Sequence, residues 1–175
     1  MAPDLSKIKA FAFDVDGVMT DGGIFCDLQG NLYRTYDAKD GFAIRMAVMN
    51  GYPVGVITGG RSSSIRERFK ASGVKPEDVY LGSRDKIRDF DDFCSRHGLK
   101  REEVAFFGDD IPDVEVLLAA GIGVAPADAA PQAKEAADYV SPLPGGKGCI
   151  REFFEKAMTA AGRWNYKTDV YKKLF

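Results

Sequence analysis

Short apolar runs alternate with charged or amphipathic segments of helical length along most of this chain, and that alternation limits the fold it can adopt. Apolar runs at 54–57, 79–81 and 104–107 are each followed by a polar turn, and predicted helices at 62–72 and 86–97 separate them. Strands that alternate with helices at this spacing form βαβ units, in which helices cover both faces of a mostly parallel sheet. The sequence therefore predicts an α/β fold.

The length of 175 residues fits one compact domain with a sizeable core. We find no internal repeat, low-complexity segment or linker, so we predict one Rossmann-like domain over residues 1–162 and a C-terminal tail over residues 163–175. A glycine-bearing turn at 27–31 lies between two apolar segments. This pattern predicts a β-hairpin insert at about 23–36, just after the first strand.

Charge and hydropathy exclude several classes of partner. The net charge of −2 offers no basic surface for nucleic acid or anionic lipid. No apolar run approaches the roughly 20 residues needed to span a bilayer. The first nine residues carry charges and a proline where a signal peptide would have an apolar stretch. We therefore expect a cytoplasmic protein that binds neither nucleic acid nor membrane.

Cysteine and histidine usage narrows the chemistry further. The three cysteines are widely spaced, which argues against a disulfide framework or a zinc cluster. The single histidine, His97, lies in a charged helical stretch, where we expect it to be solvated. Catalysis that depends on histidine is thereby almost excluded. Any chemistry in this chain is expected to rest on carboxylates.

Two aspartates end the first apolar run. Asp14 and Asp16 are followed directly by Gly17. Side chains two apart on a strand project in the same direction, so the two carboxylates are expected to lie together at the carboxyl end of this strand. Like charges at that separation call for a cation or for a shifted pKa. An aspartate-rich turn that merely closes the strand is the alternative.

Polar residues also follow the later predicted strands. Thr58 ends the second strand, Lys86 opens the helix after the third, and Asp109, Asp110 and Asp113 follow the fourth. Because the carboxyl ends of parallel strands meet along one edge, these side chains are expected to converge. Each has an ordinary interpretation, such as a helix cap for an aspartate or a solvated position for the lysine. Their conjunction in this order favours a functional site.

The chemistry open to such a set is narrow. Carboxylate oxygens are hard ligands suited to Mg²⁺ together with a substrate phosphate. Hydrolysis of a phosphate monoester needs an acceleration of up to about 10²¹-fold, whereas one general base supplies only about 10²–10⁴. The available route is therefore covalent, in which an aspartate attacks phosphorus and water then hydrolyses the aspartyl phosphate. A metal ion and a lysine would offset charge on the transferred group.

These residues resemble the four motifs of the haloacid dehalogenase superfamily of phosphatases. The matching positions span residues 11–113 in the family's order: Asp14-Val15-Asp16-Gly17, Thr58, Lys86 and Gly108-Asp109-Asp110-Ile111-Pro112-Asp113. The resemblance implies that Asp14 is the nucleophile and that Asp16 is the acid and then the base. It implies that Thr58 and Lys86 bind the phosphoryl group. Mg²⁺ would bind Asp14, Asp109 and the main-chain carbonyl of Asp16, with Asp110 and Asp113 in or just outside the set of ligands.

Further segments resemble one branch of that superfamily, the 3-deoxy-D-manno-octulosonate 8-phosphate (KDO 8-phosphate) phosphatases. They are the hairpin, the helix start at 40–44 and the glycine-rich segment 145–152. The resemblance implies a capless enzyme of lipopolysaccharide biosynthesis that hydrolyses a phosphorylated keto-sugar acid. It also implies a homotetramer in which the hairpin of one subunit helps to close a neighbour's site. The segments between the motifs are indeed too short for a cap domain.

Substrate recognition is where the chain departs from the family pattern. The arginine that often follows the second motif is displaced by one residue, to Arg61. We expect Arg61 to bind the substrate carboxylate, because arginine suits planar bidentate recognition; a solvated arginine at a helix start is the alternative. Gly59 and Thr20 complete the predicted substrate-binding set. The glycines at 145–148 are interpreted as a flexible gate or a simple turn, and the aromatic tail as a segment that reaches a neighbouring subunit or is disordered.

Three other functions remain open. The substrate could be a nine-carbon acid, as in the related 2-keto-3-deoxynononate 9-phosphate phosphatases. The chain could instead be a non-catalytic assembly domain of the same fold, although the presence of both Asp14 and Asp16 argues against this. A phosphomutase would normally carry a cap domain, so that reading is weaker.

Overall fold

The computed structural model describes residues 4–173, which form a parallel six-stranded sheet between two layers of helices. The strand order is β5-β4-β1-β6-β7-β8, and a separate two-stranded hairpin pairs β2 with β3. The predicted α/β fold is confirmed. The strands are β1 (Ala10–Phe13), β2 (Phe25–Cys26), β3 (Leu32–Tyr33), β4 (Val54–Thr58), β5 (Val79–Leu81), β6 (Val104–Phe107), β7 (Ile122–Ala125) and β8 (Tyr139–Val140).

The helices follow the predicted segments with small shifts at their ends. The first starts two residues before the expected Asp40, because the Asp37 carboxylate caps it by accepting the N–H groups of Lys39 and Asp40. In the described part of the chain, 3-10 helices lie at Leu5–Lys7, Pro76–Asp78, Arg101–Glu103 and Ile111–Asp113. The α-helices are α1 (Ala38–Met49), α2 (Ser63–Lys70), α3 (Lys86–Arg96), α4 (Val114–Ala119), α5 (Pro131–Ala136), α6 (Cys149–Ala160) and α7 (Thr168–Tyr171).

Strand β1 lies at the centre of the sheet, between β4 and β6, and is completely buried. Its side chains alternate between the two faces. Phe11 and Phe13 belong to the core that α1, α2 and α6 cover, and the Phe11 ring stacks on that of Phe154. Ala10 and Ala12 face the other core, where Phe90 and neighbouring side chains of α3 and α4 fill the space. The residues after β1 therefore follow a fully buried central strand.

The predicted hairpin follows β1, but its strands are only two residues each. The Asp27 carboxylate accepts the backbone N–H groups of Gln29 and Asn31 and so fixes the turn. Within residues 4–173, the chain between β1 and β5 holds this hairpin, α1, β4, α2 and one 3-10 helix, and no cap domain. The domain boundary at residue 162 stays a prediction.

The glycine-rich segment 145–148 supports the loop that follows β1. A Cβ at Gly145 or Gly146 would overlap the backbone of residues 17–21, so only glycine permits this close approach. The Asp40 carboxylate accepts the N–H groups of Gly148 and Arg151 and thereby caps α6. The segment is thus a packed turn that supports the loop after β1.

The aromatic tail packs on its own chain as far as the structure describes it. The Trp164 ring lies edge-on to Phe42, and the Arg151 guanidinium lies 4.9 Å from the Trp164 ring centroid. Helix α7 lies within this tail, and Tyr171 contacts the same Phe42 ring. Phe175 and residue 174 of the predicted tail lie outside the described residues. Contact of the tail with a neighbouring subunit stays a prediction.

The expectation for His97 is wrong. Its Nε2 lies 3.0 Å from Oδ1 of buried Asp78, and only 14% of its side chain is exposed. The ring also contacts that of Phe93, so His97 is packed at the end of α3 rather than solvated. Cys26, Cys94 and Cys149 are all unpaired. None of the helices between residues 4 and 173 combines the length and apolar composition that crossing a bilayer requires.

Candidate active site

The predicted catalytic residues converge at the carboxyl edge of the sheet. They line a cavity of about 390 Å³. The side chains come from four separate stretches of the chain, as the strand order requires, because β4, β1 and β6 are neighbours. The lining residues are Asp14, Asp16, Thr58, Gly59, Gly60, Ser83, Arg84, Lys86, Asp109, Asp110, Pro112 and Asp113.

The backbone brings Asp14 and Asp109 together. The Asp14 N–H donates to the Phe107 carbonyl at 3.0 Å, which continues the pairing of β1 with β6 past the strand end. Gly17 has a φ of +89°, and a Cβ there would overlap the Asp109 carboxylate. A glycine directly after the aspartate pair therefore lets a carboxylate from another strand approach the same point.

Lys86 is the cation at the centre of the site. Its Nζ lies 3.1 Å from Asp14 Oδ2 and 2.6 Å from Asp113 Oδ1. All three residues are less than 10% exposed. Burial alone disfavours a charged ammonium, but the charges of Asp14 and Asp113 outweigh it and raise the pKa of Lys86. Lys86 is therefore charged at neutral pH and is positioned for an anionic ligand.

The carboxylates at this site carry more negative charge than Lys86 can offset. Burial, and then the charge of Asp113, raise the pKa of Asp14 from 3.8 to about 6. Burial and the charges of Asp113 and Asp14 raise the pKa of Asp109 to about 7. Three carboxylates and one ammonium leave an excess of two negative charges when all are ionised.

This excess fits a divalent cation. Asp14, Asp109 and Asp113 each offer a carboxylate oxygen, and these oxygens lie within 4.8 Å of one another. Oδ1 of Asp14 and Oδ1 of Asp109 are buried without a hydrogen-bond partner among residues 4–173. A buried carboxylate oxygen without a partner is costly, and a metal ion would satisfy both. A set made only of oxygen ligands suits a hard cation.

Asp113 and Asp110 occupy different environments. Asp113 is fully buried; its Oδ1 binds Lys86, and its Oδ2 accepts the N–H groups of Asp109 and Asp110 at 3.0 and 3.3 Å. The Asp110 side chain is exposed and caps the 3-10 helix by accepting the Ile111 N–H. The structure thus places Asp113 in the acidic cluster and keeps the Asp110 carboxylate out of it. A metal-binding role for either residue stays a prediction.

Thr58 joins two loops of the cavity. Its side chain is buried, and its Oγ1 accepts the Gly60 N–H at 3.1 Å. Its carbonyl accepts the Ser83 N–H at 2.9 Å. The Thr58 hydroxyl and the loop from Gly59 to Gly60 therefore face the same space as Lys86, as expected for groups that bind a phosphoryl oxygen.

Two predicted substrate-binding residues do not line this cavity. The Thr20 side chain is fully buried, and its Oγ1 accepts the N–H groups of Gly17 and Gly22. Thr20 therefore stabilises the loop after β1, and the geometry gives no support to substrate contact. Arg61 is exposed and lines an adjoining cavity of about 660 Å³ between the hairpin and α2. Its role in substrate binding stays a prediction.

Sequence reasoning missed the residue that contacts Asp16. Arg34, just after β3, forms a bidentate ion pair with the Asp16 carboxylate. Ser83 and Arg84 at the cavity were also missed. Nothing in the local sequence marks Arg34, because its approach to Asp16 depends on how the hairpin folds back over the strand end.

Comparisons with known proteins agree with this geometry. A profile of the haloacid dehalogenase-like hydrolases matches residues 63–148. The 3-deoxy-D-manno-octulosonate 8-phosphate phosphatase KdsC of Escherichia coli K12 is 33% identical over 157 residues, which cover 90% of this chain and 82% of that protein. The chain belongs to the haloacid dehalogenase-like hydrolases. Within this family of enzymes it is a phosphatase.

Two solved structures of such hydrolases superpose closely. The KDO 8-phosphate phosphatase of Moraxella catarrhalis, in complex with a magnesium ion, a phosphate ion and a KDO molecule, has a TM-score of 0.87 and 28% identity, covering 91% of this chain and 90% of that one. The cobalt-bound phosphatase YrbI of Haemophilus influenzae has a TM-score of 0.86 and 34% identity, covering 91% and 92%. Both structures contain a divalent metal ion, in keeping with the acidic cluster of this chain.

Proposed function

We propose that the chain is a Mg²⁺-dependent phosphatase that hydrolyses 3-deoxy-D-manno-octulosonate 8-phosphate to the free sugar acid and phosphate. The observation that carries this proposal is the convergence of Asp14, Asp109 and Lys86 on one cavity, where two buried carboxylate oxygens have no hydrogen-bond partner among residues 4–173. The similarity to KdsC over 90% of the chain supports the choice of substrate. On this basis the enzyme acts in lipopolysaccharide biosynthesis.

Asp14 is the nucleophile in this proposal. Its carboxylate attacks phosphorus, the bond from phosphorus to the sugar oxygen breaks, and the electron pair leaves with that oxygen. Asp16 gives its proton to the departing oxygen. Water then attacks the aspartyl phosphate and gives a proton to Asp16, and the bond from phosphorus to Asp14 breaks to restore the carboxylate.

Lys86 and Thr58 hold the transferred group. The Lys86 ammonium, already 3.1 Å from Asp14, offsets charge on the phosphoryl oxygens, and the Thr58 hydroxyl and the nearby N–H groups donate to them. Asp14, Asp109 and the Asp16 carbonyl would hold Mg²⁺, with Asp113 beside them. When bound, the ion supplies positive charge at the reacting phosphate and balances the excess of carboxylates.

The sugar acid is expected to extend from Asp16 towards the hairpin. The acid must meet the leaving oxygen, and Arg34, which binds Asp16, also lines the adjoining cavity with Arg61. That cavity is open and polar enough for a chain of hydroxyl groups that ends in a carboxylate. We propose that Arg61 binds this carboxylate.

A kinetic panel tests the function. We expect the Mg²⁺-loaded protein to show its highest kcat/KM with the eight-carbon keto acid phosphate, and lower values with the nine-carbon analogue and with sugar phosphates that lack a carboxylate. A higher kcat/KM for the nine-carbon acid phosphate would identify that compound as the preferred substrate instead. Failure to hydrolyse any phosphate monoester would refute the proposal.

We also propose a homotetramer. The hairpin exposes large apolar side chains, with Phe25 68% exposed and Leu28 entirely so. Clustered exposed apolar groups of this kind mark interaction surfaces. We predict that light scattering gives a tetramer for the wild type and that Phe25→Glu yields smaller species, whereas Arg88→Glu on the exposed face of α3 leaves the tetramer intact. A monomeric wild type at assay concentration would contradict this.

A further inference from the structure

Arg34 connects the hairpin to the catalytic cavity of the same chain. Its Nε lies 2.5 Å from Asp16 Oδ1, and its Nη2 lies 2.9 Å from Asp16 Oδ2. The side chain is only 3% exposed, although most residues of the hairpin are exposed. A planar guanidinium that binds both oxygens of a carboxylate fixes its position and its orientation.

The Arg34 guanidinium also lies beside the loop from Thr58 to Gly60, which in the proposed function binds the phosphoryl group. A Cβ atom added at Gly60 would lie 3.3 Å from Arg34 Nη2 and 3.4 Å from Thr58 Oγ1, so both groups border the same small space. The hydrogen bonds with Asp16, together with the charges of Asp16 and Asp14, raise the pKa of Arg34. Arg34 therefore stays charged and does not itself exchange protons during catalysis.

We propose that Arg34 is a positioning residue, which holds the Asp16 carboxyl group where it meets the oxygen of the leaving group. The inference rests on the proposed function, because it requires Asp16 to be the acid and base. Asp16 is partly exposed, and Arg34 is the only side chain among residues 4–173 for which a hydrogen bond to its carboxylate is found. Without Arg34, the short Asp16 side chain would rotate among several rotamers and lose the alignment that proton transfer requires.

The proton balance identifies the step that Arg34 assists most. When the bond from phosphorus to the leaving oxygen breaks, Asp16 gives up its proton and becomes a carboxylate. That ionised form is the one that the Arg34 fork binds best. Arg34 should therefore increase the reaction rate most for a leaving group that needs the proton, and little for one that departs as a stable anion.

A direct contact of Arg34 with substrate is the rival explanation. Arg34 Nη1 is buried without an acceptor among the described residues, so it could donate to a bound ligand. The two roles give different results in a double-mutant cycle. If Arg34 acts through Asp16, its removal has no further effect once Asp16 has lost its acid function.

The test compares two phosphate esters of similar shape. p-Nitrophenyl phosphate releases a stable phenolate, whereas phenyl phosphate releases a more basic one that needs protonation. We expect Arg34→Met to lower kcat/KM for phenyl phosphate by roughly 30–100-fold and for p-nitrophenyl phosphate by less than about 5-fold. Arg34→Lys, which keeps the charge but loses the fork, should show a smaller selective loss. Arg88→Met, an exposed arginine outside the described cavities, should match the wild type.

The Asp16→Asn background supplies the decisive comparison. There, Arg34→Met should cause no further loss with phenyl phosphate. Two results would overturn the inference. One is an equal loss of kcat/KM with both esters, and the other is a loss with phenyl phosphate that is as large in the Asp16→Asn background as in the wild type. If Arg34→Met does not fold, Arg34→Lys shows whether kcat/KM falls mainly for phenyl phosphate or equally for both esters. A wild type inactive on both esters would instead defeat the proposed function, so the two failures are distinguishable.

Discussion

The two sides of the catalytic cavity are built in different ways. On the phosphoryl side, Asp14, Lys86 and Asp113 are each less than 10% exposed and are attached to the ends of sheet strands or to the helices that follow them. On the leaving-group side, a hairpin of two short strands is largely exposed and reaches the cavity through Arg34. In the proposed mechanism, the charge stabilisation common to all phosphate esters would thus rest on the core, whereas substrate selection would rest on an insert.

This difference carries an energetic cost on the buried side. Asp14 and Asp109 have raised pKa values because burial and mutual repulsion disfavour their ionised forms. The hairpin side has no such excess of negative charge, since the Arg34 guanidinium forms an ion pair with the Asp16 carboxylate. Stability should therefore respond to metal and pH through the buried cluster, and selectivity should respond to changes near the hairpin.

The largest effect is expected for the nucleophile. Asp14→Asn should lower kcat for p-nitrophenyl phosphate by at least about 10⁴-fold, because no other carboxylate can replace the attacking oxygen. The fold should persist, since the change removes a buried charge without altering volume. Initial rates and circular dichroism check this. Turnover within tenfold of the wild type would remove Asp14 from the nucleophile's role.

The next effect concerns pH and metal. The folded state raises the pKa of Asp14 to about 6 and that of Asp109 to about 7, against 3.8 for an ordinary aspartate, so it retains protons that the unfolded chain has lost. The metal-free protein should therefore lose stability as the pH rises from about 4 to about 7, by a few kcal/mol. Mg²⁺ would bind the ionised carboxylates of the cluster and should abolish their share of this decline. The share of Asp40, whose pKa burial also raises to about 6 at the start of α6, should remain.

Urea unfolding between pH 4.5 and 7.5, with EDTA or with Mg²⁺, measures this difference. Asp109→Asn is the matched control, because it removes one of the titrating carboxyl groups and eases the repulsion on Asp14. Without metal, the unfolding free energy of Asp109→Asn should fall less with rising pH than that of the wild type, and Mg²⁺ should raise it less. An identical decline with and without Mg²⁺ in the wild type would show that the cluster does not bind the ion.

The smallest effect is expected for Arg61, on the hairpin side. Arg61→Ala should raise KM for the eight-carbon acid phosphate by about 10-fold, which corresponds to about 1.4 kcal/mol, and leave p-nitrophenyl phosphate almost unaffected. Arg84→Ala is the companion variant, since Arg84 lines the cavity that contains Asp14, whereas Arg61 lines the adjoining one. A selective rise with Arg84→Ala alone would assign the carboxylate to Arg84.

Much of the buried side was predictable from sequence. Apolar runs of three to five residues specify parallel strands, and the polar residues that follow each run are expected to lie at the shared edge. That rule predicts the convergence of Asp14, Thr58, Lys86 and Asp109 from sequence alone. The helix ends were also close, because caps such as Asp37 act within a few residues.

The remaining features depended on tertiary packing. Local sequence does not specify that Thr20 turns its hydroxyl inward, that Asp110 caps a 3-10 helix away from the cluster, or that His97 meets buried Asp78. The contact between Arg34 and Asp16 joins residues 18 positions apart through a loop and a hairpin. The periodic pattern of the strands thus determined the fold and the acidic edge, because burial acts on every residue of a strand. Only the folded chain decided which exposed or loop side chains meet, because their partners are selected by three-dimensional proximity rather than by any repeating pattern.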